Sequence, residues 1–321
     1  MLIFVIVASG VVTAAAVPLC MVAAHRFQVI DRPGPLKPHE APVPYLGGVA
    51  VFAGMVVGAW VGRPVALIPI GAALALGVAD DRFGLPARLR LVAQLGVGVI
   101  VALTTPIHLT GWVGIPLLVA MSVVLINGCN LLDGLDMLAA GVGGCAAVGF
   151  AAVTHGSTRL LASSLAAALA AFLWYNRPPA RIYLGDGGSY LLGTALTVLL
   201  AGTWAVGVDS STGIIAIALV IVPLTEVGCA VVRRKRSHSS LFAGDRAHPY
   251  DLLVRRGWSR TAASVTYVAV EAMMVAVVWI MVASDEASDA VALAILAAAT
   301  AVAVVGAALV GGLRGADATS T

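Results

Sequence analysis

Long apolar runs, divided by short polar or Gly/Pro-rich breaks, make up most of this chain of 321 residues. Most runs have about 15–25 residues, the length of a helix that crosses the hydrocarbon core of a bilayer. The pattern predicts eleven spans, near residues 2–24, 46–61, 64–79, 91–105, 113–126, 137–153, 160–175, 189–207, 212–232, 262–283 and 289–313. A different division of the short neighbours 46–61 and 64–79 would give ten.

The composition agrees with this pattern, since 60% of the residues are hydrophobic, 11% are charged and the mean hydropathy is +1.00. Soluble domains are about half apolar and about a quarter charged. We therefore expect an all-α polytopic membrane protein with about 10–11 transmembrane helices, in which residues 1–321 form a single integral-membrane domain. Residues 2–24 lack a basic leading segment and are longer than the apolar part of a signal peptide, so we interpret them as a retained helix.

The basic residues predict the orientation. Only Arg63 and Arg159 fall on one side of the predicted membrane, and the other 17 of the 19 Lys and Arg residues fall on the opposite side. That side comprises five connections and the C-terminal tail: 25–45, 80–90, 127–136, 176–188, 233–261 and 314–321. Because basic loops stay in the cytoplasm, we expect the N-terminus outside and these loops inside the cell membrane. The loops that combine Asp, Asn, His and Gly are all on this cytoplasmic side.

The third cytoplasmic loop is the most polar part of an otherwise apolar region. It carries four polar residues and no basic one: Asn127, Asn130, Asp133 and Asp136. If residues 130–137 are helical, these side chains share one face. A row of hard oxygen atoms suits Mg²⁺ or amide recognition of a nucleobase, and Gly134 allows close approach of another backbone. The alternative is a polar helix turn capped by asparagine.

Two other cytoplasmic loops place carboxylates at the ends of spans. Adjacent Asp80 and Asp81 are costly at a membrane helix end unless a cation or proton compensates them, so they favour a shifted pKa or a metal ion. The alternative is neutralisation by nearby arginines, namely Arg82, Arg88 and Arg90. In GDGGS, Asp186 is expected on a glycine-rich turn before the next span, where free N–H groups can cradle phosphate. That motif could also serve only as a turn and helix cap.

The first and last cytoplasmic loops carry basic residues and histidines. Prolines and glycines hold Lys37 and His39 in extended or turn geometry, and anchoring to lipid headgroups is the alternative. The last loop has eight of the 19 basic residues, and Arg246 and His248 can hold a phosphate or nucleotide anion. Glu226 falls inside a span, where it either has a function or pairs with an arginine as structural support.

The loop motifs resemble, in order and spelling, those of the polyprenyl-phosphate N-acetylhexosamine-1-phosphate transferases. The resemblance covers residues 31–258 and rests on KPHEAPVPYLGG, GVADDRFGLPARLRLVAQ, NGCNLLDGLDMLAAG, YNRPPARIYLGDGGSYLLG and VPLTEVGCAVVRRKR…GDRAHPYDLL. It implies transfer of a sugar 1-phosphate, first of all GlcNAc-1-phosphate, from a UDP-sugar to undecaprenyl or decaprenyl phosphate. The reaction would release UMP and start a cell-envelope glycan. The resemblance also implies Mg²⁺ as cofactor, with Mn²⁺ as a substitute, contact with membrane lipids and no nucleic acid, and it allows a homodimer.

The resemblance assigns roles to single residues of this chain. It implies catalytic roles for four carboxylates: Asp80, Asp81, Asp133 and Asp136. Asn130 and Asp186 match the positions of the family's Mg²⁺ site. Six residues are expected to bind substrate: Lys37, His39, Asn127, Asn176, Arg246 and His248.

The last loop departs from the family pattern. The GlcNAc branch typically has a histidine run, H-x-H-H, whereas this chain has His248-Pro249-Tyr250-Asp251. Glu226 stands where an aspartate is usual. We therefore expect this loop to determine donor specificity, and a different UDP-sugar is the alternative donor.

Other functions remain open for a polytopic membrane protein of this composition. A secondary transporter would place its acids at mid-bilayer on broken helices, whereas these acids fall at the cytoplasmic ends of spans. A non-catalytic family member that binds lipid or a partner would explain the altered histidine run. A CDP-alcohol phosphotransferase would need an arginine that DGLDMLAAG lacks.

Overall fold

The computed structural model describes residues 1–32, 42–105, 111–204, 210–240, 247–284, 288–309 and 311. Its helices are α1 (Leu2–Phe27), α2 (Gly47–Gly62), α3 (Leu67–Phe83), α4 (Ala87–Thr104), α5 (Gly111–Leu132), α6 (Leu138–Val153), α7 (Gly156–Asn176), α8 (Gly185–Gly202), α9 (Ser210–Ile215), α10 (Ile221–Arg236), α11 (Pro249–Arg255), α12 (Arg260–Ala283) and α13 (Asp289–Leu309). Short 3-10 helices, Pro64–Ala66 and Ala216–Val220, lead into α3 and α10. Strands β1 (Ile30–Asp31) and β2 (Val43–Pro44) pair antiparallel.

The helices confirm the polytopic, all-helical membrane class. Within the described residues, eight helical segments are long and apolar enough to cross a bilayer, and α2 and α6 are shorter apolar helices. One of the eight runs without interruption from α9 to the end of α10, over Ser210–Arg236. Each of the eleven predicted runs overlaps a helix of the structure.

Helix α8 lies at the centre of the molecule. All of its residues from Gly187 to Gly202 are buried, and it packs against α2, α3 and α5. Since other helices rather than lipid surround it, α8 can carry glycines and threonines that a lipid-facing helix would not need. Its first turn is therefore held in place from several sides.

Two glycines let neighbouring helices approach the first turn of α8. A Cβ on Gly77 of α3 would overlap the backbone of Asp186 and would lie 2.5 Å from the backbone nitrogen of Gly187. A Cβ on Gly48 of α2 would overlap the backbone of Gly188. Because backbone atoms cannot swing aside, these positions require glycine. The ends of α2 and α3 are thereby brought against the start of α8.

Two local features differ from what the motifs suggest. Helix α5 extends to Leu132, and residues 133–137 then form a turn, so the helical arrangement considered for 130–137 does not occur. Met137 has a φ of 61°, in the left-handed region, which interrupts the helix before α6 begins. The glycine-rich turn expected at GDGGS is also absent, since α8 already begins at Gly185. The carboxylates of both motifs thus lie at helix ends, after the end of α5 and in the first turn of α8.

Several predicted residues lie outside the part of the chain that the structure describes. They are Lys37 and His39 of the first loop, Arg246 of the last loop, and the tail 314–321. Their expected roles stay predictions.

Candidate active site

A carboxylate on α3 caps the first turn of α8. The Asp81 carboxylate accepts hydrogen bonds from the backbone N–H groups of Asp186 (2.9 Å) and Gly187 (3.1 Å). Helix N-termini leave such groups without intrahelical partners and carry partial positive charge, so a carboxylate stabilises them. These two N–H groups are taken by Asp81, contrary to the expectation that GDGGS offers them to phosphate.

The neighbouring carboxylate of Asp80 is buried and paired with an arginine. It accepts hydrogen bonds from the Tyr190 hydroxyl (2.7 Å) and from the backbone N–H of Leu85 (2.8 Å). The Arg90 guanidinium lies 3.3 Å from the same carboxylate. The sequence left open whether these adjacent acids pair with arginines or with a metal ion or proton. For Asp80, the structure shows the arginine partner.

Helices α5 and α8 meet through the two residues that match the family's metal site. The Asn130 side-chain amide donates to Asp186 Oδ1 at 2.5 Å and to the Ser189 hydroxyl at 3.2 Å. Asn130 lies in the last turn of α5 and Asp186 in the first turn of α8. The structure thus brings together two positions that are 56 residues apart in the chain.

Asp133 joins this pair from the turn after α5. The backbone N–H of Gly185 donates to its carboxylate. Burial raises the pKa of Asp133 well above its usual range, and the nearby carboxylates of Asp186 and Asp81 raise it further. Like charges that share a site favour a proton or a cation. Carboxylates from three separate segments therefore form one acid cluster, which we define as Asp81, Asp133 and Asp186.

Asp136 ties the same turn to its surroundings. Its carboxylate accepts the backbone N–H of Ala180 at 3.0 Å, and its backbone carbonyl accepts the Ser264 hydroxyl at 2.9 Å. The turn is thus held both by the segment before α8 and by α12. Asp136 lies three residues after Asp133 in the same turn, and its carboxylate further raises the pKa of Asp133.

Asn176 is buried at the end of α7, and its side chain forms hydrogen bonds with the backbone of two other segments. Its side-chain oxygen accepts the N–H of Met137, and its amide donates to the carbonyl of Ile182, both at 2.9 Å. Both ends of the carboxamide are therefore engaged with main chain. The structure gives Asn176 a positioning role, and its expected contact with substrate stays a prediction.

Asn127 lies one helical turn before Asn130 on α5. Its amide donates to the Gln94 side chain of α4 at 2.7 Å and to the carbonyl of Val123 at 2.8 Å. Hydrogen bonds of this kind join neighbouring helices inside a membrane. The structure therefore gives Asn127 a link to α4, and its expected contact with substrate also stays a prediction.

The last loop contributes a buried histidine paired with a carboxylate. His248 Nδ1 lies 3.1 Å from Glu226 Oε2, and the Tyr267 hydroxyl donates to Glu226 Oε1 at 2.8 Å. Within the part of the chain that the structure describes, Glu226 thus bonds to a histidine and a tyrosine, rather than to the arginine considered from the sequence. A carboxylate can only accept, so Nδ1–H donates to it, and the ring orientation of His248 is set by this bond.

The acid cluster fits Mg²⁺ by the chemistry of its donor atoms. Three carboxylates and the Asn130 carboxamide supply hard oxygen ligands, which this ion prefers. Among the described residues, no three Asp, Glu, His or Cys side chains are already arranged around a metal position. The Asn130 amide nitrogen, which now faces Asp186, would have to turn its oxygen inwards for the two residues to share a cation.

Sequence reasoning missed three tyrosines that hold the site. Tyr190 binds Asp80, Tyr267 binds Glu226, and Tyr250 donates to the backbone carbonyl of Leu131 at 2.7 Å. Tyr190 directly follows GDGGS and could have been found from that position. Tyr250 and Tyr267 lie in unrelated segments, so only the packing of α11 and α12 brings them to the site.

Comparisons with known proteins show the family of this chain. The sequence model of glycosyl transferase family 4 matches residues 64–203. A protein of Bacillus subtilis, described as a probable undecaprenyl-phosphate N-acetylglucosaminyl 1-phosphate transferase, is 31% identical over 75% of this chain and 74% of its own length. The decaprenyl-phosphate N-acetylglucosaminephosphotransferase of Mycobacterium tuberculosis is 27% identical over 75% and 72%. The undecaprenyl-phosphate alpha-N-acetylglucosaminyl 1-phosphate transferase of Escherichia coli is 25% identical over 79% and 77%.

Proposed function

We propose that this chain, which belongs to glycosyl transferase family 4, transfers N-acetylglucosamine 1-phosphate from UDP-N-acetylglucosamine to a polyprenyl phosphate. Family membership makes the protein a phosphoglycosyltransferase of the polyprenyl-phosphate sugar-1-phosphate type, in a multi-pass membrane fold. The choice of N-acetylglucosamine is supported by the three relatives, all of which are named for that sugar. The alternative is the same reaction with a different UDP-sugar.

The observation that carries the proposal is the acid cluster at the start of α8, beside Asn130. Its carboxylates come from α3, from the turn after α5 and from α8 itself. Such a concentration of negative charge would repel a diphosphate unless a divalent cation lay between them. Asn130 and Asp186 would hold Mg²⁺, for which Mn²⁺ can substitute. The ion would offset the substrate charge and polarise the phosphoryl group.

The reaction joins two anions. An oxygen of the acceptor phosphate forms a bond to the β-phosphorus of the UDP-sugar, and the bond from that phosphorus to the bridging oxygen breaks, so that UMP leaves. Transfer of this kind depends mainly on positioning and electrostatic stabilisation. Arg90 and Tyr190 already engage Asp80. Asp81 instead meets uncharged backbone N–H groups, so we infer that its carboxylate, and not that of Asp80, orients the acceptor phosphate and accepts any proton that it still carries.

The last loop is suited to hold a phosphate of the donor. Because Glu226 engages His248 through Nδ1, the Nε2 edge of the imidazole is directed away from the carboxylate. Lys37, His39 and Arg246 are expected to add further donors. With 17 of the 19 basic residues predicted on that side of the membrane, we place the site on the cytoplasmic face, where basic loops are retained.

An apolar cavity supports a path for the prenyl chain of the acceptor. It has a volume of about 270 Å³ and lies between α10, α11, α12 and α13. Glu226 and Tyr267 border it, and Glu226 also binds His248. Undecaprenyl or decaprenyl phosphate as the acceptor, and a homodimer, stay predictions of the resemblance.

The proposal is tested by the release of UMP from purified protein supplied with Mg²⁺, undecaprenyl or decaprenyl phosphate and a panel of UDP-sugars. Turnover with UDP-N-acetylglucosamine is expected, and Asp186→Asn should abolish it while the protein stays folded. Turnover with a different donor alone would keep the reaction and change the sugar. A folded protein that releases no UMP from any donor would favour the non-catalytic alternative.

A further inference from the structure

Tyr250 is the residue through which the last loop contacts the turn that carries Asp133. The side chain is buried at 3% exposure, and its hydroxyl donates to the backbone carbonyl of Leu131 at 2.7 Å. On its other side, the ring stacks on His248, with centroids 5.3 Å apart and planes 6° apart. Tyr250 therefore contacts both a histidine of the last loop and the end of α5.

The carbonyl group of Leu131, which accepts this hydrogen bond, lies at the end of a helix. Leu131 lies between Asn130 and Asp133, at the end of α5, where the last carbonyl groups of a helix have no intrahelical N–H partner. The Tyr250 hydroxyl satisfies one of these groups from outside the helix. A bond at this point restrains the backbone to which both Asn130 and Asp133 are attached.

Gly134 has no side chain and therefore leaves room for the ring of Tyr250. A Cβ at this position would overlap the Tyr250 hydroxyl and would lie 2.9 Å from the ring carbon that carries it. Any other residue would push the ring away from the turn. Two distant segments, one ending in Gly134 and one beginning with His248, are therefore complementary at this contact.

We propose that Tyr250 is a positioning residue that holds Asn130 and Asp133 in place for the divalent cation and links them to His248. The inference rests on the proposed function, because it assumes a cation at Asn130 and Asp186. It changes the interpretation of the last loop. Where the family has a second histidine, this chain has Tyr250, and Tyr250 makes a hydrogen bond to the site. The departure from the family pattern therefore does not indicate a degraded enzyme.

The test removes only the hydroxyl group, in the variant Tyr250→Phe. Its matched control is Tyr175→Phe, which also deletes a hydroxyl that donates to a backbone carbonyl, that of Ala14 at 3.2 Å. That bond joins α7 to α1 and leaves the last loop untouched. We would measure Mn²⁺ affinity of the substrate-free protein by electron paramagnetic resonance, and kcat and KM for UDP-N-acetylglucosamine in the presence of Mg²⁺.

Tyr250→Phe is expected to weaken Mn²⁺ binding by about three- to tenfold, the range for loss of one hydrogen bond. It should lower kcat by a similar factor, whereas Tyr175→Phe should leave both quantities at the wild-type value. Gly134→Ala should reproduce the loss. In the double variant with Tyr250→Phe, the added effect of alanine should be smaller, since part of the overlap is gone.

Equal Mn²⁺ affinities of Tyr250→Phe, Tyr175→Phe and the wild type would overturn the inference, as would a wild type that binds no Mn²⁺. The proposed function has its own criterion, since it fails only if the wild type releases no UMP from any donor. A wild type that turns over together with an unaffected Tyr250→Phe would therefore refute the positioning role alone.

Discussion

Gly77→Ala should separate the acid cluster without altering any of its side chains. Gly77 lies on α3, one turn before Asp81, and its missing Cβ leaves room for the backbone of Asp186 and Gly187. An added methyl group would meet backbone atoms that cannot rotate away. Helices α3 and α8 must then move apart, which would stretch the bonds from the N–H groups of Asp186 and Gly187 to Asp81.

The expected cost follows from three effects. Overpacking a tight interface destabilises by about 1–3 kcal/mol, and weakening one bond to a charged acceptor adds up to about 1.5 kcal/mol. Against these costs, alanine in place of glycine inside a helix stabilises the folded state by about 1 kcal/mol. The net effect is a destabilisation of about 2 kcal/mol. Because an error of about 1 Å in a reacting group can cost about 100-fold in rate, kcat/KM should fall by about tenfold or more.

The assays are thermal unfolding in detergent and UMP release with Mg²⁺. Gly96→Ala is the matched control, because it makes the same substitution on neighbouring α4, where an added Cβ meets nothing within 4 Å. This control should unfold at the wild-type temperature or slightly above, with unchanged turnover. If Gly77→Ala behaved like Gly96→Ala in both assays, the close approach of α3 and α8 would not be what places the acids.

Three further substitutions test other contacts of the site. Glu226→Gln removes the charge that faces His248 and should raise KM for the UDP-sugar about three- to tenfold with little change in kcat; a selective loss of kcat would contradict this role. Arg90→Gln leaves buried Asp80 without its cation and should destabilise the fold by about 1–2 kcal/mol, since the guanidinium side chain is 34% exposed; an unchanged unfolding temperature would argue against the pair. Asn176→Ala removes two bonds to backbone and should lower kcat and the unfolding temperature together, whereas a change in donor KM alone would indicate direct contact with substrate.

Most of the site residues could be found from the sequence because their chemistry is rare in such a chain. Carboxylates and carboxamides stand out in a membrane protein with 11% charged residues, and Asp81, Asp133, Asp186 and Asn130 do converge. Their local geometry could not be predicted in the same way. A helix over 130–137 was one arrangement considered, but α5 ends at Leu132, because tertiary bonds from Asn176 and Tyr250 stabilise a turn there.

The roles of individual polar residues also depended on partners that are distant in sequence. From the motif alone, Asp80 and Asp81 are equivalent neighbours. The structure distinguishes them, since Asp80 meets the side chains of Tyr190, Arg90 and Asp186, while Asp81 meets the backbone at the start of α8. Glu226 could have paired with any of several arginines in its helix, yet its carboxylate bonds to His248 and Tyr267.

The sequence by itself determined the membrane class, the positions of the helices and the identity of the charged residues at their ends. Apolar length and periodicity are local properties, and the cost of leaving a charge in lipid restricts charges to a few places. Only the tertiary structure decided which carboxylate caps a helix, which one has an arginine and which tyrosine holds the turn. Those outcomes depend on contacts between segments that are far apart in the chain, such as Gly77 against Asp186 and Gly134 against Tyr250, where a single methyl group is enough to prevent the approach.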